Sequence, residues 1–345
     1  MKHNSILLLL CVASLMIVIS SCNQMTDQPS PTEMVAVANE TTEAPVNTDI
    51  PTEVPTTTLI PTEKPTAALV PTDTLVPTEE STAISLPDSM LGTEVIPLEE
   101  LSSGMPWLEM GAEPPRNKYL LFNFRQPVIS DPLVRQALSY AVDREAIAAL
   151  DSQDVVVPHR PATVITPPEI LGRDLYGAVG IQYDPQKAKD LLIEAGYQDP
   201  ADFPEITFMV TPVGSSGPDG NLNIVNAVTQ MWSETLGISV RIKVIDTVEE
   251  FFPQIVTDSY DVVLLSWYAD YNDPNNFLRE PFHTDEPNNF GLYSNEEFDR
   301  LVLQAADIQE PADRQALYIL AEDVLCQQDP AVIPLFFYGN PFSEQ

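Results

Sequence analysis

The chain has 345 residues and a formal net charge of −35, because 51 Asp and Glu oppose 16 Lys and Arg. This balance argues against a nucleic-acid-binding protein, since neutralising phosphates requires clustered Lys and Arg. Three cysteines and three histidines, all widely separated, predict neither a disulfide framework nor a metal site.

The first 22 residues predict a lipoprotein signal. An apolar run at 6–19 follows a basic start and is shorter than the ~20 residues of a membrane span. Two serines and Cys22 come directly after it, and this ending resembles the bacterial lipobox, in which the cysteine is lipidated and becomes the mature N-terminus. We therefore expect a signal peptide over 1–21 and a lipid anchor on Cys22. The alternative is an ordinary secretory signal peptide followed by a cysteine by chance.

Residues 22–87 have the composition of a linker. From 23 to 87 the chain contains no glycine and no aromatic residue, and Lys64 is its only basic residue. A Pro-Thr-acid unit recurs, starting at Pro31, Pro51, Pro61, Pro71 and Pro77. Proline removes amide donors and repeated negative charge resists compaction, so we expect a disordered, lipid-anchored Pro/Thr/acidic stalk.

Residues 88–345 alternate between strand and helix patterns. Strands are predicted at 119–124, 206–211, 238–244, 262–267 and 331–338. Helices are predicted from Asp131-Pro132, from Asp184-Pro185 to Gly196, at 222–236, at 251–256, from a capping box of Ser294 and Glu297 to 306, and at 311–327. The alternation predicts an α/β fold for this region.

The sequence contains no recognisable catalytic motif. The glycine-rich loop at 214–220 has neither the spacing of a dinucleotide fingerprint nor the lysine of a P-loop, and no Gly-x-Ser-x-Gly elbow occurs. His159 and His283 have no recognisable nucleophile to activate and are expected at the surface, whereas Cys326 is expected to be a buried small hydrophobe. We therefore expect no enzyme activity, no cofactor and no metal.

Seven groups of residues, in order along the chain, resemble one family. They are 119–123, 131–138 with 141–144, 183–189 with 194–197, 236–238, 260–262, 266–274, and 288–289 with 293–299. The sixth group is Ser266-Trp267-Tyr268-Ala269-Asp270-Tyr271-Asn272-Asp273-Pro274. The chain is similar to the bacterial extracellular solute-binding proteins of family 5, the peptide- and nickel-type receptors of ABC importers.

The resemblance implies a fold and a set of ligand contacts. We expect a type II periplasmic-binding-protein-like α/β lobe in which Asp270 holds the amino terminus of a peptide. Trp267 would line the pocket and Asn288 would contact the ligand, with Tyr268 and Tyr271 as further candidates. Open α/β sheets bind ligands at the carboxyl ends of strands, and a desolvated ammonium needs a carboxylate, so the expectation also has physical support. The alternative roles are structural: a turn cap, a core side chain and a loop contact.

The resemblance covers the second lobe of the family, and the half of the family's chain that builds the larger lobe has no counterpart. We therefore expect a single lobe over 88–345, at the outer face of the cytoplasmic membrane, as a periplasmic or cell-surface lipoprotein. It would bind an oligopeptide or another small solute and work with ABC permease subunits. The alternative is a surface interaction module, or a truncated remnant of such a receptor, that no longer captures solute.

Overall fold

The computed structural model describes residues 84–91, 94–95, 113–152, 157–212 and 219–339. All of them belong to one compact unit, Pro77–Gln345. The expected signal peptide, the lipidation site Cys22 and the linker up to residue 83 lie outside the described residues. Within the described part of the chain, no helix has the length and the apolar character needed to cross a membrane.

The strands and helices of the described region have the following bounds. The strands are β1 (Glu94–Val95), β2 (Arg116–Phe122), β3 (Arg160–Pro161), β4 (Arg173–Asp174), β5 (Ile206–Val210), β6 (Val240–Val244), β7 (Val262–Tyr268) and β8 (Val332–Phe337). The helices are α1 (Pro132–Tyr140), α2 (Arg144–Asp151), α3 (Pro168–Leu171), α4 (Pro185–Glu194), α5 (Gly220–Leu236), α6 (Val248–Ile255), α7 (Arg279–Phe282), α8 (Glu296–Asp307) and α9 (Pro311–Asp323), with a π-helical turn at Val324–Gln328.

Six strands form one mixed sheet in the order β3-β8-β2-β7-β5-β6. β5 is parallel to β6 and β7, whereas β2 is antiparallel to β7 and β8. The carboxyl ends of β5, β6 and β7 therefore share one edge with the amino end of β2, and we call it the upper edge of the sheet. The amino end of α5 lies at the upper edge too, because α5 follows β5. A separate antiparallel pair joins β1 to β4.

Each face of the sheet is covered by its own hydrophobic core. Tyr119 and Leu121 of β2 belong to one core, and Leu120 and Phe122 belong to the other, because successive strand residues point to opposite faces. Side chains of α6, α8 and α9 fill the first core, and those of α1, α2, α4 and α5 fill the second. The result is a three-layer α/β/α unit, as the alternation of helices and strands predicts.

Side-chain caps set the starts of several predicted helices. The carboxylates of Asp131 and Asp184 accept hydrogen bonds from backbone amides in the first turns of α1 and α4, as expected. The predicted cap of α8 is wrong by one residue, because Asn295, rather than Ser294, accepts hydrogen bonds from two backbone amides of that helix. Asn and Ser are both favourable caps, so the local pattern alone does not choose between neighbours.

The expected surface placement of the two described histidines is wrong, because both are buried. His159 Nε2 lies 3.1 Å from Asp151 Oδ2, and the His159 ring stacks on Phe336 at 4.8 Å between ring centroids. The loop before β3 is covered by β8, a contact between distant parts of the chain that no local pattern shows. Cys326 is fully buried, in agreement with its predicted role as a small hydrophobe.

The described part of the chain starts at residue 84, next to the α/β unit. Ile84 and Leu86 pack against the first core, and the Ile84 amide donates a hydrogen bond of 3.0 Å to Asp313. Ile84 and Leu86, which the composition assigns to the linker, therefore contact the α/β unit.

Candidate functional site

The candidate site lies at the end of β7, which runs from the core to the upper edge of the sheet. Its first three residues, Val262 to Leu264, are buried, whereas Trp267 is half-buried and Tyr268 is 43% exposed. Ala269 is buried again, and Asp270 directly after it is exposed. The central apolar run thus anchors the strand, and the residues that follow reach the surface where open sheets bind ligands.

Trp267 is held in place from two sides. Its backbone amide donates to Asn117 Oδ1 at 3.0 Å, across the register pair between β7 and β2. Its indole Nε1 donates to Asn276 Oδ1 at 3.3 Å, and its ring packs partly against the first core. The indole is therefore fixed in orientation while part of its surface stays open, which suits a wall of a binding site.

Asp270 presents a carboxylate that no cation of the described chain neutralises. Its backbone amide donates to Asn276 Oδ1 at 3.1 Å, and its Oδ2 lies 3.4 Å from Asn276 Nδ2. Among the described residues, no Lys, Arg or His side chain forms an ion pair with it. An exposed carboxylate in this condition is available to a positively charged ligand.

The structural alternative for Asp270, a turn cap, belongs to Asp273 instead. The Asp273 carboxylate caps the 3-10 turn Pro274–Asn276 by accepting the Asn275 amide at 2.9 Å. Arg314 of α9 holds the same carboxylate with two hydrogen bonds of 2.6 and 2.9 Å. The Asp273 carboxylate is thus held by a backbone amide and an arginine, whereas the Asp270 carboxylate has only the 3.4 Å hydrogen bond from Asn276.

Tyr271 is locked into a network with Glu280, a residue that the sequence analysis missed. The Tyr271 hydroxyl donates to Glu280 Oε1 at 2.6 Å, and Asn276 Nδ2 lies 3.3 Å from Glu280 Oε2. Asn276 is fully buried and therefore links the side chains of Trp267, Asp270 and Glu280. Burial, and after it the charge of Asp270, raises the pKa of the Glu280 carboxyl above its usual value.

The Glu280 carboxyl should make the stability of the protein depend on pH. A carboxyl whose pKa is raised in the folded state stabilises the fold fully below its unfolded pKa, and this stabilisation is lost as pH rises through the folded pKa. We expect Glu280→Gln to remove this loss, so that the variant gains free energy of unfolding relative to wild type as the pH rises above about 4. Urea unfolding at several pH values measures it, with the exposed Glu310→Gln as the matched control. Parallel pH profiles for wild type and Glu280→Gln would contradict the assignment.

Tyr268 lies on the opposite face of the sheet from Trp267. Its hydroxyl accepts a hydrogen bond of 3.1 Å from Arg116 Nη1, and the Arg116 guanidinium also lies 3.8 Å from the ring centroid of Tyr338. Tyr268 and Arg116 are register partners on β7 and β2, which explains the contact. Tyr268 is therefore at the upper edge, but beside a cation rather than beside Asp270.

Asn288 is half-buried in the loop that follows α7. The only hydrogen bond recorded for it among the described residues is made by its backbone oxygen, which accepts the Phe290 amide at 2.8 Å. The neighbouring Asn289 holds the loop, because its side chain bonds to the backbone of His283 and Tyr293. Within the described region, no hydrogen bond connects Asn288 to the residues around Asn276, so hydrogen bonding gives its proposed ligand contact no support.

A separate groove of about 370 Å³ lies near the carboxyl ends of α4 and α5. Ile193, Tyr197, Leu236 and Gly237 are among its lining residues. Because α5 starts at the upper edge, its carboxyl end lies at the opposite edge, and the groove is distinct from the candidate site. Among the described residues, no group of three or more His, Cys, Asp or Glu side chains is placed to hold a metal ion.

Comparisons with known proteins agree with this architecture. The family model described as bacterial extracellular solute-binding proteins, family 5 middle, matches residues 90–289. The periplasmic oligopeptide-binding protein OppA of Salmonella typhimurium is 31% identical over 227 residues, which cover 64% of this chain and 39% of OppA. The probable deoxycholate-binding periplasmic protein YgiS of Escherichia coli is 30% identical over 227 residues, which cover 64% of this chain and 40% of YgiS.

A solved structure supports the same conclusion about the fold. The dipeptide-binding protein of Pseudoalteromonas sp. SM9913, in complex with Met-Leu, has a TM-score of 0.56 and 26% identity, and the match covers 66% of this chain and 44% of that protein. The chain spans about two fifths of the length of the curated relatives it matches. The expected α/β fold of the periplasmic-binding-protein type is confirmed.

The family model covers the elements from β1 to the loop after α7. Members of this family are non-enzymatic transport receptors, which agrees with the expectation that the chain is not an enzyme. The chain belongs to the bacterial extracellular solute-binding proteins of family 5.

Proposed function

We propose that this protein is the membrane-anchored solute-binding component of an ABC importer and that its solute is a short peptide. The observation that carries the proposal is Asp270, an exposed carboxylate without a cationic partner among the described residues, beside the half-buried Trp267. A peptide amino terminus is an ammonium, and its desolvation requires a carboxylate partner. The indole next to it supplies apolar surface for the first side chain of the peptide.

The proposal that the ligand carries a cationic group rests on the site of this chain rather than on its relatives. OppA is named for oligopeptides and YgiS for deoxycholate, an anion, so relatives of similar identity differ in the sign of the charge they are named for. A carboxylate repels an anion and attracts an ammonium. Asp270 therefore favours a peptide amino terminus, and Trp267, Tyr268, Tyr271 and Asn288 remain proposed contacts.

Membrane attachment and the transport partners complete the proposal. A lipid on Cys22 would hold the protein at the outer face of the cytoplasmic membrane, as a periplasmic or cell-surface lipoprotein, with ABC permease subunits as partners. If the linker 22–87 were stiff throughout, it would span about 200 Å at ~3.1 Å per residue. The α/β unit would then be able to meet a permease anywhere near its anchor.

Calorimetric titration of the full chain with short peptides tests the proposal. A complete receptor with a Kd of about 1 µM gains about 8 kcal/mol, and half of its contacts would leave a Kd near 1 mM. The titration must therefore extend to several millimolar peptide. Saturable heat supports the receptor. A flat titration of a protein that still melts cooperatively would favour the alternative, a surface interaction module or a remnant that no longer captures solute.

The lipid anchor predicts a specific effect of one cysteine. In a bacterial host, Cys22→Ser should move the protein from the membrane fraction to the soluble fraction and abolish labelling with radioactive palmitate, because the acyl chains are attached through this residue. Cys11→Ser is the matched control, since Cys11 lies within the expected signal peptide. Continued membrane association of Cys22→Ser, with labelling unchanged, would refute lipidation at Cys22.

A further inference from the structure

Asn276 holds two carboxylates side by side. Its Nδ2 lies 3.4 Å from Asp270 Oδ2 and 3.3 Å from Glu280 Oε2. The two carboxylate oxygens share this nitrogen and are therefore less than twice that distance apart. Asn276 Oδ1 accepts from Trp267 Nε1 and from the Asp270 amide, which fixes the orientation of the fully buried side-chain amide. Asn276 thus sets the spacing of two negative groups.

No cation of the described residues forms an ion pair with Asp270 or Glu280. Arg279 precedes Glu280 in α7, but its Nε lies 3.2 Å from Glu286 Oε1. Arg314 of α9 is likewise engaged elsewhere, because it binds Asp273 at 2.6 Å. Two carboxylates at this spacing repel each other, and burial disfavours the ionised form of Glu280. A cationic ligand would relieve both effects.

A buried acceptor without a partner belongs to the same network. Asn275 Nδ2 donates to the Tyr271 hydroxyl at 3.2 Å, and this hydroxyl donates to Glu280 Oε1 at 2.6 Å. The side-chain oxygen of Asn275 is buried and has no hydrogen-bond partner among the described residues. Carboxylate and amide oxygens only accept hydrogen bonds, whereas an ammonium or a guanidinium only donates them. The network therefore lacks the donors that a cationic ligand brings.

The pair of carboxylates differs from the general negative charge of the protein. The net charge of −35 attracts every cation, but salt screens this attraction and it does not distinguish one cationic ligand from another. Two carboxylates at a fixed spacing do distinguish them, because a ligand with two cations pairs with both. A ligand with one cation leaves the second carboxylate without a partner.

We propose that Glu280 is a specificity-determining residue that, together with Asp270, selects peptides whose first residue is lysine or arginine. This inference rests on the proposed function and narrows it, because the peptide amino terminus then binds at Asp270 and the cationic side chain of the same residue binds at Glu280. The flexible stem of such a side chain lets its charged end reach the second carboxylate. The indole of Trp267, held by the same Asn276, offers apolar surface to the stem.

Urea unfolding of the full chain without ligand separates a binding role of Glu280 from a structural one. Glutamine keeps the shape of the side chain and can still accept from the Tyr271 hydroxyl, which donates at 2.6 Å in the wild-type protein. Near neutral pH, Glu280→Gln should therefore be at least as stable as wild type. A marked fall in the free energy of unfolding would show that the carboxylate is structural and would overturn the proposal.

Titration with the dipeptide Lys-Ala and with its Nε-acetylated form tests the second contact itself, because acetylation removes the charge of the lysine side chain. Wild type and the exposed control Glu310→Gln should bind Lys-Ala roughly 10- to 100-fold more tightly than the acetylated form, the usual effect of a hydrogen bond between charged groups. Glu280→Gln should bind both forms within about threefold of each other. The same preference in wild type and Glu280→Gln, or no preference in wild type, would overturn the proposal.

A diamine separates failure of this specificity from failure of the peptide function. If no peptide binds, diaminobutane should still raise the melting temperature of wild type more than the monoamine butylamine does, because a ligand stabilises a fold that binds it. In Glu280→Gln the two amines should give shifts of equal size. That result would keep the paired carboxylates as a site for two cations and refute peptide capture. Equal shifts by the two amines in wild type, or the same difference in both proteins, would refute the role of Glu280.

Discussion

Asp270→Asn should abolish the saturable heat of binding of a short peptide, because loss of the charge pair weakens binding by at least about 30-fold and a site with a Kd of about 1 mM then leaves the range of calorimetry. The asparagine keeps the shape of the side chain and can still bond to Asn276, which lies 3.4 Å from Asp270 Oδ2 in the wild-type protein. The fold should therefore be retained, and the loss should come from the missing negative charge. Calorimetric titration of the full-length variant measures it.

The control for this variant removes an equal charge nearby. Asp285 is exposed in the loop after α7, and Asp285→Asn changes the net charge by the same amount. A general electrostatic effect of the acidic chain would weaken binding equally in both variants. An unchanged affinity in Asp270→Asn, or an equal loss in Asp285→Asn, would count against an ammonium at Asp270.

Arg135→Met should reduce the free energy of unfolding by about 3–5 kcal/mol, as expected when one member of a buried charge pair is removed. Arg135 of α1 is 2% exposed and pairs with Asp329. Its guanidinium also donates to three backbone oxygens, those of Ile129, Ser130 and Pro330, at 2.7–3.0 Å. Methionine fills part of the volume but leaves these acceptors without a donor.

Urea unfolding measures this loss against a surface arginine. Arg300 of α8 forms an exposed pair with Glu297 at 2.7 Å, and such pairs contribute at most about 1 kcal/mol. Arg300→Met should therefore unfold at nearly the urea concentration of wild type. If Arg135→Met also costs less than about 1 kcal/mol, the buried network does not join α1 to the segment before β8 as described.

Local patterns predict much of the fold. The apolar run that forms β7 and the Asp-Pro pairs that open α1 and α4 depend on neighbouring residues, and the structure confirms all three. The exposure of Asp270 can also be predicted from the neighbouring residues, because a buried strand that ends in polar residues must reach the surface.

The rest of the site depends on contacts between distant residues. Trp267 meets Asn117 at a separation of 150 positions. The role of Glu280 cannot be predicted from the sequence, because a lone glutamate on a short helix is common and only the folded loop brings it to Tyr271. The burial of His159 has the same origin, since Phe336 covers it from the far end of the chain.

In the proposed function, membrane anchoring would compensate for weak binding of the solute. A site that contacts half of its ligand would hold it loosely, with a Kd of about 1 mM. Under the proposed lipid anchoring, residues 22–87 would keep the site at an effective concentration in the millimolar range near the anchor. Delivery to a permease in the same membrane would then depend on proximity as well as on affinity.

Nuclear magnetic resonance of the full chain, with tryptophan labelled by ¹⁵N, tests most directly whether the end of β7 forms a wall of the solute site. The chain has three tryptophans, and the fully buried Trp232 of α5 is an internal reference. Titration with a short peptide should shift the indole signal of Trp267 saturably, since this indole donates to Asn276 beside Asp270, and should leave that of Trp232 in place. Saturable binding that leaves the Trp267 signal unchanged would contradict the account.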